Sequence, residues 1–159
     1  MEDKGNTKIN KNLKNGGFVS IPTPILDYID AIIGGDDPME VLRIYSDAEG
    51  GSRFEIRKIT LHANDYAPPA PPLYTSSPES AEKMIFLELP AGWFGDWHPT
   101  PLRQWLIIMS DACEFETSDG KRQRRHAGDV VILDDAIGRG HRTTVLGDEP
   151  MRIVAVHMT

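Results

Sequence analysis

The chain has 159 residues, 40% of them hydrophobic and 26% charged, the balance of an ordinary globular protein. That length makes one domain the expectation and buries roughly two-thirds of the unfolded surface, enough for a core without staples. A net charge of −7 disfavours nucleic acid as a main partner, because phosphate binding needs a basic face. The single cysteine, Cys113, excludes an intrachain disulfide and argues against a thiolate zinc site. Its neighbour Glu114 disfavours a thiolate, so a structural role is expected for it rather than a nucleophilic one. No apolar run approaches the ~20 residues of a membrane span. The start of the chain lacks the apolar core of a secretory signal, and a cytoplasmic location is the default expectation.

In chain order, residues Met1 to Gly17 are polar and rich in Lys and Asn. Such a segment buries too little apolar surface to offset the cost of ordering, so disorder is expected. From Pro22 to Gly35, the residues Ile25, Leu26, Ile29, Ile32 and Ile33 recur at helical spacing. Thr23-Pro24 reads as the start of a short amphipathic helix and Gly34-Gly35 as its stop. Residues 1–38 are therefore expected to form an N-terminal arm, and residues 39–159 the folded domain.

From Val41 the pattern turns to strands. Val41–Tyr45 is β-prone, Gly50-Gly51-Ser52 is a turn, and Phe54–Leu61 is half-buried. Ala67 to Pro72 holds four prolines, which predict a rigid extended connection and exclude a central strand. Met84–Leu89 is a strand stopped by Pro90-Ala91-Gly92, and Gln104–Met109 is strongly apolar. Cys113–Thr117 and Arg122–His126 flank Asp119-Gly120, the best short hairpin signal in the chain. The basic run Lys121–Arg125 then lies on a solvated hairpin arm, where it also discourages edge pairing. Val130–Leu133, His141–Leu146 and Arg152–His157 complete the set. About eight short strands with regular turn signals imply an all-β sandwich or barrel.

Two segments carry the chemistry. In Gly95 to Leu106, His98 lies six residues before Gln104, and Gln104 opens a strand that is otherwise apolar on both faces. A buried amide there must be hydrogen-bonded or must hold something. In Gly128 to Thr143, a buried strand runs into Asp134-Asp135, a Gly138-Arg139-Gly140 bend, and then His141. Arg139 and His141 share a strand parity.

These segments resemble the two motifs of the cupin superfamily, over Phe86 to Val156. The resemblance implies a double-stranded β-helix (jelly-roll) barrel, and a dimer that pairs edge strands. In that family, three histidines and a glutamate converge on a metal inside the barrel. Here His98 stands at the first His position, Thr100 at the second, Gln104 at the Glu and His141 at the last His. Asp111 replaces the glycine that usually ends the first motif, and Asp134 the proline of the second.

The set His98, Gln104 and His141 lacks an anionic ligand, so a divalent transition metal (Fe, Mn, Ni or Zn) is expected to be held weakly or not at all. Without metal, His98 or His141 is the natural general acid or base, because an imidazole titrates near neutrality. Gln104, Arg139 and Trp97 are the candidate substrate contacts, with guanidinium suited to carboxylate or phosphate. His157 is a further inward-facing candidate. The expected function is a barrel that binds a small polar metabolite and acts by His-mediated proton transfer, as an isomerase, lyase or dehydratase. The alternatives are a metal-dependent dioxygenase-type cupin and a non-catalytic regulatory one.

Overall fold

The computed structural model describes residues 38–159. The expected N-terminal tail and amphipathic helix lie outside these residues. Among the described residues there are twelve strands: β1 (Met39–Ser46), β2 (Ser52–Ile59), β3 (His62–Asn64), β4 (Leu73–Thr75), β5 (Ala81–Leu89), β6 (Phe94–His98), β7 (Gln104–Ile108), β8 (Ala112–Glu116), β9 (Arg122–His126), β10 (Val130–Asp134), β11 (His141–Val145) and β12 (Met151–Met158). There is no helix among the described residues, and hence none long and apolar enough to cross a membrane.

The last eight strands pair in nested fashion. β5 lies antiparallel to β12, β6 to β11, β7 to β10, and β8 to β9. Winding this double ribbon splits it into two facing sheets, ordered β2-β1-β10-β7-β12-β5 and β6-β11-β8-β9. That strand order is a jelly roll, a double-stranded β-helix. β1 extends the larger sheet by pairing parallel with β10, and β2 adds to it as a hairpin.

Alternation decides what faces the interior. Leu106 and Ile108 on β7, Cys113 and Phe115 on β8, Val131 and Leu133 on β10, and Ile153 and Ala155 on β12 form one buried cluster between the sheets. Successive side chains of a strand point to opposite faces, so one sequence parity on each strand fills the core. Cys113 is fully buried, and burial pushes its thiol up to about 12, which makes it core rather than nucleophile.

Three details differ from the expectations. The proline-rich segment is a tight turn rather than an extended connection: the Ala70 N–H donates to the Ala67 carbonyl at 2.9 Å, and β3 pairs with β4 across it. β6, β3 and β4 were not expected, since none shows the alternation of a half-buried strand. Asp111 has φ +62°, the one non-glycine residue with positive φ among those described. It occupies this left-handed turn in place of glycine by accepting a hydrogen bond from the Ala112 N–H at 2.7 Å through its own carboxylate.

Candidate functional site

His98 ends β6 and His141 opens β11, and the two are paired across the ladder. Their ring centroids lie 4.8 Å apart with planes tilted by 52°. Sequence parity alone does not bring this about. Gly95 sits opposite Thr143, so a regular ladder would set Trp97 opposite His141; a one-residue shift between them sets His98 there instead. The shift is a β-bulge, which reverses the facing of the residues beyond it. It lets Gly95 and His98, three residues apart, both face inward, and turns Trp97 away.

Two close backbone approaches hold this geometry. A Cβ on Gly140 would lie 2.0 Å from the His98 carbonyl oxygen, and Gly140 has φ +72°. A Cβ on Gly95 would strike the Trp93 ring at 2.3 Å and approach His98 Cε1 to 3.1 Å. Glycine at both positions lets β6 and β11 close up at the histidine pair.

The tautomers follow from the hydrogen bonds. His98 Nδ1 lies 2.6 Å from the Asp96 carbonyl oxygen. A carbonyl only accepts, so Nδ1 donates, and in the neutral ring Nε2 is the acceptor. His141 Nδ1 lies 2.7 Å from Asp135 Oδ2, and in the neutral ring this contact makes Nδ1 the donor and Nε2 the acceptor. His141 is 2% exposed and Asp135 0%. Asp135 Oδ1 is buried with no partner among the described residues, so the carboxylate is committed to the imidazole through one oxygen only. Phe115 packs edge-on against the His141 ring, with centroids 5.8 Å apart.

Gln104 enters from the other sheet. It is buried, and its Nε2 donates to Thr100 Oγ1 at 2.9 Å. The Thr100 hydroxyl donates to the Leu102 carbonyl, and the Thr100 N–H donates to the Asp135 carbonyl at 3.3 Å. Thr100 thus meets Gln104 through its hydroxyl and the Asp135 backbone through its N–H, and the Asp135 side chain meets His141. His157 stands opposite Gln104 in the ladder with β12, on the face that Ala155 presents to the core, and is half-buried.

Trp97 and Arg139 come together elsewhere. The Arg139 guanidinium lies 4.0 Å from the Trp97 ring centroid and that of Arg142 lies 4.7 Å from it. The alternation linking Arg139 to His141 does not extend through Gly140, whose positive φ breaks the strand before β11 begins. His62 and His126 are exposed.

A tight divalent site does not fit these residues. No group of three or more His, Cys, Asp or Glu side chains converges among the described residues. The one buried carboxylate beside the pair is turned to Nδ1 of His141, away from Nε2. What the sequence reasoning missed is Asp135, read as half of an acidic turn. Its signal was its position after a fully apolar strand, where the chain is still inside the barrel.

No family model and no curated protein matches the sequence. Among solved structures, a double-stranded β-helix protein from Klebsiella pneumoniae subsp. pneumoniae is 24% identical, with a TM-score of 0.38 over 46% of this chain. The chain covers 63% of that protein's own length. A Cupin 2 conserved barrel domain protein from Salinispora arenicola is 24% identical, with a TM-score of 0.42 over 63% of this chain and 76% of its own. A cupin domain from Bordetella pertussis tohama i is 15% identical, with a TM-score of 0.40 over 54% of this chain and 99% of its own. The strand order carries the assignment: the described domain has the cupin fold, a double-stranded β-helix barrel extended by β1 and β2.

Proposed function

We propose that this barrel binds a small polar metabolite at His98, His141 and Gln104 and transfers a proton through His141. The observation that carries the reading is the Asp135–His141 pair, a fully buried carboxylate 2.7 Å from Nδ1 of a buried imidazole. Such a carboxylate fixes the tautomer and stabilises the imidazolium that forms when Nε2 takes a proton. His141 is the base, Asp135 the positioning residue that acts through it, and half-exposed His98 contacts the ligand at the solvent side. Gln104 offers its amide oxygen, since its nitrogen is already donating to Thr100. Carbon acids beside a carbonyl are the substrate class that one base and neutral hydrogen-bonding groups serve, as in isomerases and lyases.

The test is deuterium incorporation from heavy water into a panel of small keto and hydroxy acids, followed by proton NMR. Wild type exchanges the α-proton of at least one panel member, and His141→Ala loses exchange by roughly 10²–10⁴-fold, the usual contribution of a general base. Asp135→Asn shows a comparable loss, with the His141 ring nitrogens changing tautomer in nitrogen-15 spectra. Full exchange in both His98→Ala and His141→Ala sinks the proposal. Saturable binding without exchange, lost in His98→Ala, replaces it with a ligand-binding module. Stoichiometric transition metal in protein purified without chelator, lost in His141→Ala, replaces it with a metal centre.

A further inference from the structure

Asp135 to Gly140 join β10 to β11 and deliver His141 to the site. Gly138 and Gly140 both have positive φ, +79° and +72°. Glycine takes either sign of φ about equally, so the local sequence leaves the path of this loop open, and contacts from elsewhere must choose it. On one side the strands of the barrel do so. The Thr100 N–H donates to the Asp135 carbonyl at 3.3 Å, and Gly140 packs on the His98 carbonyl. On the other side stands the β1–β2 hairpin, which lies outside the eight nested strands.

The hairpin meets the loop along its length. Ser46 Oγ donates to the Ile137 carbonyl at 2.6 Å. The Arg139 N–H donates to the Gly50 carbonyl at 3.2 Å, where a Cβ on Gly138 would lie 2.1 Å from that same oxygen. The Ser52 hydroxyl donates to the Gly140 carbonyl at 2.6 Å, across 88 residues of sequence. Ser46 is half-buried, whereas Ser52 is 1% exposed, and a buried carbonyl that loses its donor is left unsatisfied. Ser52 Oγ also accepts from the Ser118 N–H at 2.8 Å, and the Ser52 N–H donates to Ser118 Oγ at 2.8 Å. Ser118 lies in the turn between β8 and β9, so one hydroxyl joins the larger sheet, the smaller sheet and the loop. The carbonyl it holds belongs to the peptide unit that carries the His141 N–H. That unit is planar, so holding its oxygen limits the direction in which the His141 side chain leaves the backbone.

We propose that Ser52 is a positioning residue for His141, holding through the Gly140 carbonyl the peptide that aims the imidazole at Asp135. Its action on the ring passes through the loop. The catalytic consequence rests on the reading of His141 as the proton-transferring base. The geometric consequence does not, because the hydrogen bond from the ring to Asp135 is read without any substrate.

The experiment is proton and nitrogen-15 NMR of the histidine rings in the full chain, with the deuterium-exchange panel run beside it. In wild type the His141 Nδ1 proton, held by Asp135, exchanges slowly with water and gives its own signal. In Ser52→Ala that signal broadens or disappears, and the ring nitrogens move toward a mixture of tautomers. Substrate exchange falls in kcat on the order of 10–100-fold with KM little changed, the scale of a misplacement of about 1 Å. Ser52→Thr keeps the hydroxyl and restores both readouts. Ser52→Cys keeps the volume but donates weakly, so it falls between the two and carries the test where Ser52→Ala does not fold. Ser118→Ala removes the acceptor of the Ser52 N–H and leaves the bond to Gly140, so it lowers Tm without moving the His141 signals. Wild-type His141 signals in folded Ser52→Ala or Ser52→Cys overturn the proposal. An equal displacement in Ser118→Ala also overturns it, because the joint between the sheets is then what matters. If wild type exchanges no substrate while Ser52→Ala still displaces the Nδ1 proton, the positioning role stands and only the proton-transfer reading falls.

Discussion

The two sheets of this barrel share one core but differ on their outer faces. On the four-stranded sheet, Arg142, Glu116, Arg122, Glu114 and Arg124 alternate in sign across β11, β8 and β9, with contacts of 2.7 to 3.2 Å. On the six-stranded sheet, the outer face carries Trp105, Ile107, Val154 and Phe86 in neighbouring strands. The histidine pair sits on the charged sheet, where β6 and β11 are short and one is bulged. The difference teaches that the sheet with a continuous charged ladder outside has room for chemistry at its rim, whereas the larger sheet exposes an apolar stripe between its own ion pairs, Arg43–Glu55 and Arg152–Glu88.

Adjacent residues of β8 measure that contrast most sharply. Phe115 is 1% exposed and touches the core and His141, so Phe115→Ala should cost about 3–5 kcal/mol in urea unfolding, the range for truncating a buried aromatic. A loss under 1 kcal/mol would mean that the space between the sheets is loosely filled. Gly140→Ala comes next. Its positive φ and the approach to the His98 carbonyl should together cost about 1–3 kcal/mol or more and pull the two imidazoles apart. Proton NMR of the ring signals reads the displacement, and unchanged His98 and His141 shifts would show that this glycine is not what closes the site. The smallest effect belongs to the outer ladder. Glu114→Ala removes both contacts to Arg122 and Arg124, yet should change stability by no more than about 1 kcal/mol, less still at high salt. A larger loss would make the charged face a structural partner of the core.

Part of the geometry around the candidate site could be read from residues alone. His98, Gln104 and His141 stood at positions where polar groups enter apolar strands. His98 stands beside His141, and Gln104 is bonded to Thr100. Asp111 stood at a glycine position and took a glycine conformation. Trp97 and Arg139 were less readable. The positive φ of Gly140 breaks the alternation from which the facing of Arg139 was inferred, and the bulge that sets the facing of Trp97 depends on the strand opposite. Asp135 was missed because a loop carboxylate looks solvated until the barrel closes over it.

By itself the sequence determined the strands of one-sided periodicity, the Asp119-Gly120 hairpin, and the order of the two histidine-bearing segments. Those features are local: a strand with one wet and one dry face writes its orientation into every second residue. Only the tertiary structure decided which apolar face of β7 and β10 became core, where β6 slips by one residue, and that Asp135 stands behind His141. Where both faces are apolar, or a bulge shifts the register, alternation carries no orientation, and long-range pairing between strands supplies it.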